Sequence, residues 1–267
     1  TANLQFFEVY TWESKDVQSG IVAADKAVQD YLTGADKVAT VVDTTKASSA
    51  VQPKGDTSKT ATISSLASKA TPAKTDSAAI KATENPILRL MQITQPYQAE
   101  NGRPVYPAAL GYIQSKDTGT LNDYLAMESV KSKFPSNLVF MYGKAELDDP
   151  KAKDILTLYA VKTLDNGQAE LEGDRIAGAS QDYDERGRIA IKMNMDKVGS
   201  NIWAKMTTRN VGKPIAIVLD NFVYSAPNVN DPITTGNSQI SGNYTIKEAQ
   251  DLSEILESGK LPAPAKI

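Results

Sequence analysis

The stretch KPIAIVLDNFVYSAP, Lys213 to Pro227, decides how the chain is read. Ile215, Ala216, Ile217, Val218 and Leu219 are apolar without alternation, the pattern of a strand covered on both faces. Phe222, Val223 and Tyr224 form a second strand-like run, and only Asp220 and Asn221 lie between the two. A two-residue hairpin turn needs positive φ at its central positions, which Asn and Asp tolerate best after Gly. An acid at the end of a buried strand is also where a catalytic carboxylate could sit. No histidine, second acid or lysine stands at a telling spacing, so Asp220 reads as a turn residue.

The neighbouring segments repeat this pairing of hairpin and helix. In ASQDYDERGRIAIKMNM, Ile189, Ile191, Met193 and Met195 alternate with Ala190, Lys192 and Asn194, and Asp184 to Gly187 supply the turn. Asp182, Asp184 and Glu185 could gather around a divalent cation, but they lack a calcium-loop pattern and stand where turn residues belong. DKVGSNIWAKMTTRNVG predicts a helix capped by Asp196 and stopped by Gly212, with Val198, Ile202 and Met206 on one face and Trp203 beside them. That stripe reads as core. In NYTIKEAQDLSEILESG, Thr245 and Glu248 form a capping box, and Tyr244 is placed to staple onto Ala249. Ile246, Ala249, Leu252, Ile255 and Leu256 make its apolar face, with Gly259 as the stop.

Earlier segments are less sharply marked. LQFFEVYTW predicts a strand with Leu4, Phe6 and Tyr10 to one side. Ile21, Val22, Ala24, Val28 and Leu32 then recur at helical spacing up to Gly34. From about Ala35 to Thr83 there is no aromatic residue, and roughly two-thirds of the segment is Ala, Ser, Thr or Lys. It reads as a tolerated insertion more readily than as a flexible binding arm. AAIKATENPILRLMQI predicts a resumed helix. QPYQAENGRPVYPAALGY, with Tyr97, Tyr106 and Tyr112 among prolines, predicts an extended loop pinned by its rings, or a peptide-binding surface. LNDYLAMESVKSKF predicts a helix ended by Pro135, and NLVFMYGKA and ILTLYAVKT a hairpin. The fold class expected is α+β: an antiparallel sheet of hairpins with helices packed on one side, plus the low-complexity insertion.

Composition narrows the chemistry. The 267 residues include no cysteine and no histidine, which removes thiol nucleophiles, disulfides and any Ser-His-Asp hydrolase. The net charge of −3 argues against an electrostatic grip on nucleic acid or anionic lipid. No apolar run approaches the roughly 20 residues that span a bilayer. Opening on Thr1-Ala2-Asn3, the chain reads as a piece of something longer. No metal or cofactor is implied. Only carboxylate, lysine or tyrosine chemistry remains, and the enzymatic alternative is a carboxylate-based glycan hydrolase using pairs among Asp182, Asp184, Glu185 and Asp220.

Several motifs then occur in order over Leu171 to Pro264: LEGDRIAGASQDYDERGRIAI, MTTRNVGKPIAIVLDNFVYSAP, the spaced Gly236 and QISGNYTIKEAQDLSEILESGKLPAP. Together they resemble the SecD protein-export membrane protein family, in particular its first large periplasmic (P1) region, mostly the head subdomain. TANLQFFEVY is similar to the family's entry strand. Departures are modest: Asn221 stands where Gly is usual, Tyr244 where Phe is usual, and Lys260 replaces a small apolar residue. The variation resembles the fused SecDF proteins. The insertion is not a general family feature.

The resemblance implies a soluble region on the periplasmic side of the bacterial inner membrane, belonging to a membrane-embedded parent. That parent would work with the SecYEG channel and SecF, or a fused SecF half, in export driven by the proton gradient. The partner implied for this region is unfolded secretory polypeptide, with no catalytic residue. Gly212, Asp220, Pro227, Gly242, Gly259, Leu261 and Pro262 carry over as structural signature positions only. Domain organisation is then 1–34 as the start of the head, 35–85 as the insertion, 86–243 as the rest of the head, and 244–267 as a base-associated helix and exit. Client contacts are expected at Tyr97, Tyr106, Tyr112, Phe222 and Tyr224, with affinity of about 10 μM or weaker (about −7 kcal/mol) so that a moving chain is not trapped. A scaffold for other translocase subunits is the alternative with the same fold.

Overall fold

The computed structural model describes residues 3–34, 84–99, 102–144, 154–241 and 245–258. In chain order the elements are β1 (Leu4–Tyr10), α1 (Lys15–Thr33), β2 (Met91–Ile93), β3 (Tyr97–Gln98), β4 (Pro104–Val105) and β5 (Gly111–Gln114). They continue with α2 (Thr118–Ala126), α3 (Glu128–Lys131), β6 (Leu138–Lys144), β7 (Ile155–Lys162), β8 (Leu171–Glu172), β9 (Ile176–Tyr183) and β10 (Ile189–Met195). The last are α4 (Lys197–Arg209), β11 (Ile215–Leu219), β12 (Phe222–Ser225), β13 (Asn237–Ser241) and α5 (Ile246–Ser258).

The mixture of helices and strands is α+β, but the main sheet does not lie flat with helices on one side. It closes. β1 pairs with β11 along Leu4 to Glu8 and then with β7 along Glu8 to Tyr10. β7 pairs with β6, β6 with β12, and β12 with β11, so five strands complete a ring. The β6–β12 pairing is parallel, with Phe222 opposite Tyr142 and Val223 opposite Gly143. Strands β1 and β7 can each serve a third partner because each divides one edge between two neighbours: β7 holds β5 below residue 159 and β1 above it. Closure gives each ring strand a partner on both sides, which limits the hazard of unpaired backbone.

The interior of the ring is filled and much of its outer face is covered. Phe7, Val9, Met141, Tyr159, Val161, Ala216, Val218 and Val223, drawn from all five strands, pack together in the interior. Space there is tight. A Cβ on Gly143 would lie 2.6 Å from the Val223 carbonyl oxygen and 2.8 Å from the Tyr159 ring. Outside, Leu158 and Ala160 of β7 meet Val17, Ile21, Ala24 and Val28 of α1, with Leu121 and Val130 from α2 and α3 completing that core. On another side, Leu4, Phe6, Ile215 and Ile217 pack with Trp203 and Met206 of α4 and with the separate three-stranded sheet β13-β10-β9. Ala249, Leu252 and Leu256 of α5 cover that sheet. Helices therefore flank the ring on more than one side.

The turn chemistry read from the sequence holds. Asp220 and Asn221 have φ of 49° and 64°, and β11 is buried on both faces. The β6–β7 and β9–β10 hairpins form, with Gly187 at φ 73° in the second turn. Asp196 caps α4 by accepting the Gly199 N–H at 2.6 Å. The Thr245–Glu248 capping box is complete: the Glu248 N–H reaches the Thr245 hydroxyl at 3.2 Å, and the Thr245 N–H reaches the Glu248 carboxylate at 3.0 Å. Gly34 ends α1 in the left-handed region. One stop differs: helix α4 ends at Arg209 with Asn210 as its cap rather than at Gly212, whose positive φ turns the chain that follows.

Other expectations need correction. Residues 88–90 form a single 3-10 turn and β2 follows, so the resumed helix is absent among the described residues. The segment from Tyr97 to Gln114 is three short strands rather than loop alone. The helix from Leu121 breaks at Met127, whose ψ of 133° is extended, separating α2 from α3. Val22, Val198 and Ile246 are exposed, because each lies on a part of its helix that no other described element covers. Tyr244, Gly242, Gly259, Leu261, Pro262 and the segment 35–83 lie outside the described residues.

Candidate functional site

Two strands of different sheets stand apart across a groove. The ring contributes Ile215 and Ile217 of β11 and Phe6 of β1. The three-stranded sheet contributes Met193 of β10 and all five residues of β13, and the opposite wall is Pro227 to Asp231 with Ile233. The volume of the groove is about 260 Å³. Its floor is apolar and its rim carries Asn228, Asn230, Asp231, Asn237 and Gln239, the pattern of an apolar pocket with a few polar groups at the lip. The wall is held in place locally: Val229 donates its N–H to the Lys213 carbonyl at 2.9 Å and accepts from Gly212 N–H at 2.7 Å. Thr207 of α4 accepts the Ile233 N–H at 3.0 Å.

Trp203 sits in this floor. Its ring meets Phe6 edge-on with centroids 5.6 Å apart, a packing worth about 0.5–1.5 kcal/mol beyond burial alone. The residue is 6% exposed, and its indole Nε1–H has no hydrogen-bond partner among the described residues. A buried donor left unmade costs about 1–3 kcal/mol. The sequence reading of Trp203 as core is correct for its ring and silent about its N–H.

A second, polar recess of about 190 Å³ is lined by Glu8, Asn137, Lys162, Thr163, Leu164, Glu170 and Arg209. Arg209 donates from Nη2 to Glu8 and to Glu170, each at 2.6 Å, and Lys162 meets Glu8 at 3.3 Å. Lys162 also lies 4.9 Å from the Tyr10 ring centroid. Burial pushes the Glu8 carboxyl up, but Arg209, Asn210 and Lys162 more than offset this and hold it below its ordinary value. Hydrogen bonds from Arg209 to Glu170 and Glu8 raise the guanidinium's own pKa. Every charge in the recess is matched, so it ties β1, β7 and α4 together and presents no activated acid or base.

The five aromatic residues expected to contact a client are placed apart from the groove. Tyr97 is exposed on β3, where it pairs with Val105, and Tyr106 follows β4 half-buried. Tyr112 is half-buried on β5 opposite Thr157 and Gln92. Phe222 and Tyr224 share one face of β12, Phe222 exposed and Tyr224 packed against the α4 core. None of the five lines either recess. Of the residues that line the groove, Gln239 to Ser241 open a stretch quoted for its motif, Asn237 and Ser238 precede it, and none of the five is read as strand. The alternation of Ser238 and Ile240 with polar neighbours was the available signal.

The acids serve the turns. Asp182 pairs with Lys192, and Asp184 accepts N–H groups of Arg186 at 2.9 Å and Arg188 at 2.8 Å as well as the Arg188 Nε at 2.7 Å. These bonds, from the Arg188 backbone first, hold the Asp184 carboxyl below its usual range. Asp220 lies in the β11–β12 turn of the ring, where it accepts the Asn3 N–H at 2.8 Å and donates its own N–H to the Asn3 carbonyl at 3.0 Å. It therefore belongs to a different sheet from Asp182 and Asp184, pinning the start of β1.

The architecture defines a domain with an apolar-floored groove and no gathered catalytic set among the described residues. Residues 150–263 match the family model of the SecDF P1 head subdomain. The chain belongs to the SecD/SecDF family of protein translocase subunits, as part of its P1 region. Protein translocase subunit SecD of Rhodothermus marinus is 37% identical over 185 residues, covering 68% of this chain and 27% of the relative. Its counterpart in Rickettsia bellii is 40% identical over 100 residues, covering 38% of this chain and 20% of the relative. This chain thus spans about a fifth to a quarter of the length of these curated relatives. A solved structure of a membrane component SecDF that enhances protein export aligns over 99% of this chain at 19% identity and a TM-score of 0.33, too low to bear on the fold. The family is one of translocation subunits and not of enzymes. No helix among the described residues is long and apolar enough to cross a membrane.

Proposed function

We propose that this region is the periplasmic part of a Sec translocase accessory subunit and transiently holds unfolded polypeptide during export. Its parent would be anchored in the inner membrane, draw on the proton gradient there, and act beside the SecYEG channel and SecF. On this reading 1–34 and 86–243 make the head that meets the client, and 244–267 lead toward the base. The observation that carries the proposal is the groove of about 260 Å³ between the ring and the three-stranded sheet, apolar at its floor and nearly uncharged at its rim. Such a lining grips apolar side chains of many sequences and selects few, as a carrier of varied clients requires.

The test is an NMR titration of the domain with a non-native secretory polypeptide. Amide shifts clustered on one concave face, saturating at about 10 μM or weaker, are the expected result. An absence of shifts at millimolar polypeptide would overturn client holding by this region and favour a scaffold for other translocase subunits.

A further inference from the structure

We propose that the outer edge of β13 is a strand-addition site, taking an extended segment of polypeptide as a fourth strand beside β13; this rests on the polypeptide-holding reading. Among the described residues β13 pairs with β10 alone. The Met195 N–H donates to the Gly236 carbonyl at 3.0 Å, and the register continues Asn194–Asn237, Met193–Ser238, Lys192–Gln239, Ile191–Ile240. Antiparallel ladders alternate bonded and non-bonded pairs, so the bonds to β10 fall at Gly236, Ser238 and Ile240. The backbone groups of Asn237, Gln239 and Ser241 then point to the outer edge. The Asn237 N–H accordingly goes elsewhere, to the Thr235 hydroxyl at 3.4 Å.

This edge opens on the groove, which all five residues of β13 line. Outward groups on alternate residues recur at ~6.8 Å, a spacing that another extended backbone matches along its length and a compact ligand meets once. Among the described residues nothing blunts the edge: β13 carries no lysine or proline, and its register with β10 shows no bulge. One side of an added strand would face the apolar floor of Phe6, Trp203, Ile215 and Ile217, so apolar residues at alternate positions of the segment fit best. The Trp203 indole N–H supplies the independent mark. It is a buried donor without an acceptor in the floor of this groove, and a carbonyl of an arriving chain is an acceptor of suitable chemistry. The rim amides and single acid, Asp231, leave the ladder as the main grip, so affinity would depend little on side-chain sequence.

The experiment titrates the ¹⁵N-labelled chain with an eight-residue peptide alternating Val and Ser, and with the same peptide N-methylated at alternate residues. Expected are a shift of the Trp203 indole N–H, slowed exchange of the Gln239 and Ser241 amides, and at least tenfold weaker binding of the methylated peptide. Gln239→Pro removes an outward donor without a ladder bond and should weaken binding about tenfold. Trp203→Phe keeps a ring but loses the N–H, and should weaken it about fivefold. Both variants are first checked for native amide spectra, and either one alone suffices for the test. Binding that shifts residues elsewhere, such as 97–112, would overturn the β13 site and leave polypeptide holding intact. Equal binding of the methylated peptide would overturn strand addition. Absence of binding by this peptide and by an unfolded secretory polypeptide would overturn both.

Discussion

Arg209, at the C-terminal end of α4, forks onto Glu8 in the middle of β1, with Nη2 at 2.6 Å and Nε at 3.0 Å from the same carboxylate oxygen. The two residues are 201 apart in sequence. The Glu8 side chain is only 14% exposed, so its charge leans on this partner and on Lys162. Glu8→Gln should destabilise the domain by about 1–2 kcal/mol, less than the full cost of orphaning a buried charge because Arg209 is half-exposed and keeps Glu170. A double-mutant cycle with Arg209→Met, read by urea unfolding, should return a coupling of about 1 kcal/mol. A coupling near zero would mean that the groups are neighbours without dependence.

Gly143 marks the tightest point of the ring. A methyl group there would push on the backbone of β12, which is not the flexible end of a side chain. Gly143→Ala should cost about 1–3 kcal/mol by overpacking. It should also loosen the parallel β6–β12 pairing selectively, seen as faster hydrogen exchange at Val223 than at residues of β9 and β10. Uniform exchange across both sheets would contradict this.

Asp25 is buried within α1 and accepts the N–H groups of Ile87 at 2.8 Å and Leu88 at 3.1 Å. It therefore ties α1 to the turn that leads into β2. Asp25→Ala would leave buried donors unpaired, and a loss of about 2–4 kcal/mol is expected. Chemical denaturation measures it; a change below about 0.5 kcal/mol would show that other contacts secure this turn against α1.

Acid should unfold the domain and mild alkali should not. Glu8, Asp184, Asp196 and Glu248 all have carboxyl groups held below their ordinary values of 4.5 or 3.8. For Asp196 and Glu248 the leading cause is a backbone N–H at a helix start. The native state thus binds fewer protons than the unfolded chain as pH approaches 4, and its stability rises with pH in that window. The contribution is complete above about pH 5 and drains as pH falls through the lowered values. With no histidine in the chain, the urea midpoint should be level between pH 5.5 and 7.5 and fall steadily below 4.5. A step near pH 6.5 would point to a coupled group not accounted for by these four.

The parts of the fold legible in the sequence are those settled by a few adjacent residues. Asp220-Asn221, the Asp184–Gly187 turn, the Asp196 cap and the Thr245–Glu248 box each state their geometry within four positions, and each forms. The ring could not be read this way. Its closure depends on Glu8 meeting Lys162 and on Val223 meeting Gly143, and pairing between distant strands leaves no local periodicity. Strands of three residues, such as Met91–Ile93, are too short to show alternation, and their apolar run passes for helix. The groove was hidden for another reason. Trp203 and Ile240 look the same in sequence whether they face a core or a cleft, and only the missing partner of the indole N–H separates the two.

The divided edges of β1 carry a consequence for how the domain comes into being. Strand β1 finds its described strand partners at Ala160–Lys162, Leu171–Glu172 and Ile215–Leu219, all far downstream, so none of them yet exists when β1 is made. Its contacts are almost all long-range, and loop closure must precede any reward from them. The expected order of events is late closure: the β9–β10 hairpin and the helices can form early, while β1 waits for β11 to emerge. Folding of the ring should then be slow, on the order of milliseconds to seconds, as for other domains dominated by non-local strand pairing.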